Sequence, residues 1–249
     1  MTNRLTPVLA PLLIFLLLLA PLPGPFAGEG QEEKQAFMPK GEHPYSDLEP
    51  SDRCLSCHRK IYRQYQASAM ASAQILPWDQ AEYFKILLPH VRGNPDMKGL
   101  ENACIRCHAP AAYLAGDVPP PRKDEADPKA DGVICDVCHT MTGVMGDRPY
   151  NGNYRVEPGM LKYGPREEVQ SYHHESAFRP IQTSAEMCGT CHDETSFYGA
   201  WVKETYREWK ESPYAAAGIQ CMDCHEPAAA GKASPMGPER PDVAQHLFM

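Results

Sequence analysis

Apolar positions are spread unevenly along the chain. They form one near-continuous run over 8–22, behind a short polar head that carries Arg4. The stretch 12–20 is almost pure Leu, Ile and Phe. It is short for a spanning helix, and prolines at positions 7, 11, 21, 23 and 25 break it up. Residues 1–27 therefore read as a secretory signal peptide. Pro25 and Phe26 stand where a cleavage site prefers small residues, so an uncleaved anchor is the alternative. Residues 28–50 are a polar linker, with His43 as its one notable side chain.

Beyond residue 50 the pattern turns helical in pieces. Ile61, Tyr65, Ala69 and Ser72 recur at helical spacing, and no Gly or Pro interrupts them. This predicts a helix over 55–73, ended before Pro77. A short helix is expected to end near Leu88, and residues 111–132 read as a Pro- and charge-rich surface loop. Residues 143–170 predict turns and one hairpin through Asn151-Gly152. Residues 198–212 again read as helix, and a small-residue tail runs on to Met249. The phrase at 62–68, Tyr-Arg-Gln-Tyr-Gln-Ala-Ser, returns at 206–212 as Tyr-Arg-Glu-Trp-Lys-Glu-Ser. One copy follows a cysteine-rich word and the other precedes one, so this is no clean tandem duplication.

That word is Cys-x-x-Cys-His, and it occurs five times. Its cysteines are Cys54/Cys57, Cys104/Cys107, Cys135/Cys138, Cys188/Cys191 and Cys221/Cys224, followed by His58, His108, His139, His192 and His225. This is the attachment pattern of c-type haem. Two thiols add to the two vinyl groups of one porphyrin, and the adjacent His binds the iron from the proximal side. All 10 Cys are consumed, with none left over. Zinc sites use paired Cys-x-x-Cys without requiring His after each pair. A disulfide framework stays open as the reading for an exported chain with an even cysteine count.

Five haems change the expected architecture. Roughly 220 residues after the signal leave about 44 per haem, too few to build a large side-chain core as well. The fold class expected is mainly α with little regular structure, a loop-rich multihaem cytochrome c wrapped around five haems over 51–249. The 25 Pro and 18 Gly agree with that. The spacings between words are 50, 31, 53 and 33 residues, which suggests stacked pairs 104/135 and 188/221 beside a lone first haem.

Each iron also needs a distal ligand. Five His lie outside the words: His43, His90, His173, His174 and His246. The count matches the irons, so mostly bis-His, low-spin haems are expected. The neighbours His173 and His174 point in different directions and suit two haems. Met70 and Met187 are the competing ligands. Net charge is −8, and no basic run suggests nucleic acid. The acidity suits a partner with a basic docking face.

The stretch from Cys54 to Ser68, a haem word followed by a helix with Tyr-x-x-aromatic-x-x-Ser, resembles the cytochrome c-554 / c-prime family. The stretches 102–110, 131–139 and 206–225 resemble wider relatives in bacterial respiratory and extracellular electron transfer. The resemblance covers about 52–226 and implies an exported electron carrier, periplasmic or extracellular. Its implied partners are redox proteins: a quinol-oxidising complex, a terminal reductase or other cytochromes. A homo-oligomer or filament is also open, and membrane contact only if the N-terminal segment is uncleaved. Relatives often carry a distal His a little after the Ser, where this chain has Met70 and, in the second phrase, Tyr214. That departure keeps an alternative open, a haem enzyme acting on a small nitrogen or sulfur compound at one open iron. The end, 245–249, resembles a His-x-Phe stretch after the last haem word in relatives, and the sequence there reads as a fragment or a trimmed frame.

Overall fold

The computed structural model describes residues 41–122 and 132–249. The signal segment, residues 28–40 of the linker and residues 123–131 of the charged loop lie outside the described residues. Residues 41–50 pack onto the body: Leu48 is buried, and the Glu49 N–H donates to Asp136 Oδ2 at 2.9 Å.

The helices are short. They are α1 (Ser51–Cys54), α2 (Arg59–Gln66), α3 (Pro77–Ala81), α4 (Leu88–Gly93), α5 (Ile105–His108), α6 (Pro110–Ala115), α7 (Cys135–His139), α8 (Ala185–His192), α9 (Thr205–Lys210), α10 (Pro213–Ala216) and α11 (Cys221–His225). The helix expected over 55–73 is broken at both ends. The chain turns between Cys54 and His58, and α2 stops at Gln66, where Ser68 Oγ donates to Tyr65 O at 2.6 Å. A Ser so placed competes for the carbonyl that the next helical N–H would use. The helix expected to end near Leu88 instead runs on. A π-helical turn, Glu82–Leu87, joins α3 to α4, and Pro89 follows it at the start of α4. Residues 111–115 belong to α6 rather than to a loop.

Helix outweighs strand, and the strands are short. Four two-stranded sheets pair β1 (Met141–Val144) with β2 (Tyr154–Val156), β3 (Leu161–Gly164) with β4 (Glu175–Phe178), β5 (Glu194–Thr195) with β6 (Trp201–Lys203), and β7 (Ala228–Gly231) with β8 (Arg240–Ala244). Only β3–β4 is parallel. The expected hairpin is β1–β2, and Asn151 and Gly152 in its loop both take positive φ. The segment 198–212 divides into β6 and α9, and the tail after Cys224 is the β7–β8 hairpin.

A modest side-chain core forms around α5, α6, α7 and β1–β2, with Ile105, Ala109, Leu114, Val137 and Tyr154 almost fully buried. Two long-range clamps hold the words around it. Gly132 N and Val133 N donate to Ala71 O and Met70 O, at 3.2 and 2.9 Å, which docks the third word onto the chain that follows the first. A Cβ on Gly132 would lie 2.3 Å from Met70 O, so only glycine permits this approach. The β1–β2 loop forms the second clamp. Gly152 N donates to Thr190 O at 2.6 Å, and the Tyr154 hydroxyl donates to Arg106 O at 2.7 Å, joining the fourth word to the second.

Candidate functional site

Each Cys-x-x-Cys-His word folds as a single helical turn. His58 N and His108 N donate to Cys54 O and Cys104 O, at 2.8 and 2.9 Å. Positions three and four apart share one face of such a turn, so both thiols and the imidazole project to the same side. The five words are sited on α1 with its following turn, on α5, α7, α8 and α11.

The words are gathered, but not in the order their spacing suggests. Cys54 interacts with Cys135, Cys107 with Cys191, and Cys188 with Cys221. In each pair the thiols are desolvated and perturb one another. One is held above its ordinary value and its partner below, Cys221 at about 7. Cys138 lies within electrostatic reach of both Cys188 and Cys191. The pair 188/221 thus meets as its short spacing suggests. The pair 104/135 does not: word two joins word four, and word three joins word one. The two clamps described above decide this, because each links segments far apart in sequence. No disulfide joins any of the ten cysteines.

Four of the five proximal imidazoles are held by their Nδ1 atoms. Nδ1 of His58 faces Ala233 O at 3.0 Å, that of His139 faces Tyr163 O at 2.8 Å, and that of His225 faces Met249 O. Nδ1 of His108 faces Ala73 O at 3.2 Å and Asp79 Oδ1 at 3.0 Å. A carbonyl oxygen accepts only, so these nitrogens carry the proton and Nε2 is the free donor to a metal.

Two of these rings look at a second histidine. The ring centres of His58 and His174 are 6.3 Å apart at 29°, and those of His139 and His246 are 6.1 Å apart at 22°. Two metal–nitrogen bonds of about 2 Å, plus roughly 1.1 Å from each nitrogen to its ring centre, total about 6.2 Å. His174 Nδ1 is bonded to Glu175 O at 2.9 Å, and His246 Nδ1 faces Ala244 O at 3.2 Å, so both present Nε2 as the proximal rings do. The β3–β4 pair explains the arrangement. Tyr163 on β3 backs His139, and the residue before β4 is His174.

The other three histidines outside the words are not brought to a word in this way. His90 and His173 are exposed and His43 is half-buried, and no ring hydrogen bond is made by any of them among the described residues. Met187 packs against the core, and Tyr214 is exposed. Two buried polar atoms near word two have no partner among the described residues: Gln74 Nε2, beside the Ala73 carbonyl that backs His108, and the Tyr113 hydroxyl, in electrostatic reach of Cys107. Such orphans fit a site shaped for a further polar group. Among the described residues no cluster of three or more His, Cys, Asp or Glu is arranged to hold a bare metal ion. Asp79 was not legible as a functional residue, since nothing in its sequence surroundings ties it to a word 25 residues on. Burial raises Glu226, next to His225, to about 7.

Residues 53–140, which contain the first three words, match the family described as cytochrome c554 and c-prime. The fold is similar to that of a penta-heme cytochrome c552 from Thermochromatium tepidum, with a TM-score of 0.51 and 20% identity, covering 83% of this chain and 58% of that one. The chain thus spans a little over half the length of that protein. None of the curated proteins matches it. By these two matches the chain is similar to multihaem c-type cytochromes, in its first three words and in its fold. Among the described residues no helix is long and apolar enough to cross a membrane.

Proposed function

We propose that the chain is an exported pentahaem electron carrier, with closely packed and mostly bis-His haems working between redox protein partners. One observation carries the reading: His58 facing His174 and His139 facing His246, at the separation a shared metal ion requires and with every Nδ1 already engaged. Bound haem supplies a one-electron ferric/ferrous couple. The protein's own residues then do three things. Each cysteine pair fixes a porphyrin edge, each carbonyl behind a histidine fixes ring orientation and tautomer, and the clamps set the distances between words.

The thiol contacts give an order for the path. Word one adjoins word three, word three lies in reach of word four, and word four adjoins both two and five. We assign word four as the branch point. His43, His90 and His173 are the distal ligands left for the irons of words two, four and five. A second reading, a haem enzyme with one open iron, is favoured by Met70 and Tyr214 standing where relatives often carry a distal His, and by one feature of the structure. The Asp79 carboxylate behind His108 makes that ring a stronger electron donor to a metal, which suits an iron that binds a small ligand.

The deciding experiment is haem-to-protein stoichiometry on the mature holoprotein, followed by EPR and by CO addition to the reduced form. Five haems, all low-spin and blind to CO, are expected of the carrier. One high-spin haem that binds CO transfers the assignment to the enzyme. Fewer than five haems per chain sinks both.

A further inference from the structure

Beside the first word the surface is strongly basic, although the chain as a whole is acidic. A cavity of about 550 Å³ is walled by Cys57, Arg59, Lys60 and Arg63 on one side and by Lys232 and Ala233 on the other. All four cations are exposed, none makes an ion pair among the described residues, and no carboxylate lines the cavity. The chain carries −8, so with these four set aside the remainder carries −12. Two of the wall residues belong to the attachment of the first haem. Cys57 is one of its thiols, and Ala233 O accepts the Nδ1–H of its proximal His58.

We propose that this basic cavity is the docking site for an acidic redox protein, which exchanges electrons with the first haem. The inference rests on the carrier reading. Opposite charge at one spot of an otherwise like-charged surface steers a negative partner there and repels it elsewhere. The haem's own propionates are not the occupant, because they lie at the porphyrin edge opposite the thioethers and Cys57 marks the thioether edge. The site lacks the buried polar anchor that a small anion requires, whereas exposed Lys and Arg suit a protein surface. The step balances simply: a reduced iron–sulfur or haem partner gives one electron to a ferric iron, is itself oxidised by one electron, and no proton moves.

The test is stopped-flow reduction of the ferric holoprotein by a reduced acidic [2Fe–2S] ferredoxin across a range of ionic strength. It compares the wild type, Lys60→Glu/Arg63→Glu/Lys232→Glu, and a control with the same charge change placed elsewhere, Lys85→Glu/Lys98→Glu/Arg155→Glu. The wild-type rate is expected to fall with salt. The cavity variant is expected to lose about tenfold or more at low salt, together with its salt dependence, while the control changes by less than about threefold. Equal slowing of both variants, or a wild-type rate indifferent to salt, overturns the proposal. So does a haem spectrum altered in the cavity variant alone, which would make these cations part of the haem pocket. Reduced methyl viologen, a strongly reducing cation with no use for a basic site, tests the carrier reading separately. If it leaves wild-type haems unreduced, that reading fails whatever the ferredoxin arm reports.

Discussion

Asp79 places a carboxylate oxygen 3.0 Å from the Nδ1 of His108, an acidic side chain behind the histidine of the second word. The rings of His58 and His139 face backbone carbonyls instead. A carboxylate pulls harder on the Nδ1 proton and favours the ferric state of the iron that this ring holds. Asp79→Asn keeps the shape and removes the charge. A hydrogen bond to a charged group is worth about 1.5–3 kcal/mol against about 1 for a neutral one, and about 1.4 kcal/mol is 59 mV for a one-electron couple. One of the haem potentials is expected to rise by about 60 mV, read by spectroelectrochemical titration, with the others unmoved.

His174→Ala and His246→Ala each remove one member of a facing pair. Each variant is expected to keep all of its haems, since attachment rests on the cysteines, and to gain one high-spin, CO-binding iron. EPR and CO difference spectra on the holoprotein read this directly. A variant that stays fully low-spin with no CO binding excludes that histidine as a ligand.

The third word rests on a buried ion pair. Asp136 is 3% exposed, and Lys162 Nζ bonds its Oδ1 while the Glu49 N–H holds Oδ2. Lys162→Ala strands that carboxylate, so a loss of about 3 kcal/mol is expected in chemical unfolding of the holoprotein. Asp136→Asn/Lys162→Ala is expected to recover part of the loss, because no buried charge is then unpaired.

Gly189, inside the fourth word, has no room for a side chain. A Cβ there would lie 2.6 Å from the Tyr206 ring and 2.9 Å from Pro149. Gly189→Ala is expected to cost about 1–3 kcal/mol by pushing Tyr206 off its site. Thermal unfolding measures it, and Gly164→Ala, where the added atom meets nothing within 4 Å, is the control.

The local form of the words was legible in the sequence, and their long-range arrangement was not. Each word sets two thiols and an imidazole on one side of a single turn, because that geometry needs only contiguous residues. The repeated phrase was legible too: both copies form a short helix, and Ser68 and Ser212 make the same bond, to Tyr65 O and Trp209 O, each at 2.6 Å. Ser68 ended α2 early, which the apolar spacing of Ile61, Tyr65 and Ala69 concealed. The meeting of words one and three could not be read, since it depends on backbone bonds from Gly132 and Val133 to residues some 60 positions earlier. The parallel β3–β4 pair was hidden for a similar reason. A ten-residue connection between parallel strands is unusually short, and no alternation of apolar residues marks either strand.

The contacts between thiols of different words bear on how the protein is made. Two thiols side by side need only a two-electron oxidant to close a disulfide, and exported proteins meet such oxidants. A chain that reached its final packing with bare cysteines would bring Cys54 to Cys135, Cys107 to Cys191 and Cys188 to Cys221, each poised for a crossed bond. Every such bond would disable two attachment words at once. On the carrier reading, thioether formation is expected before compaction, on an extended and reduced chain.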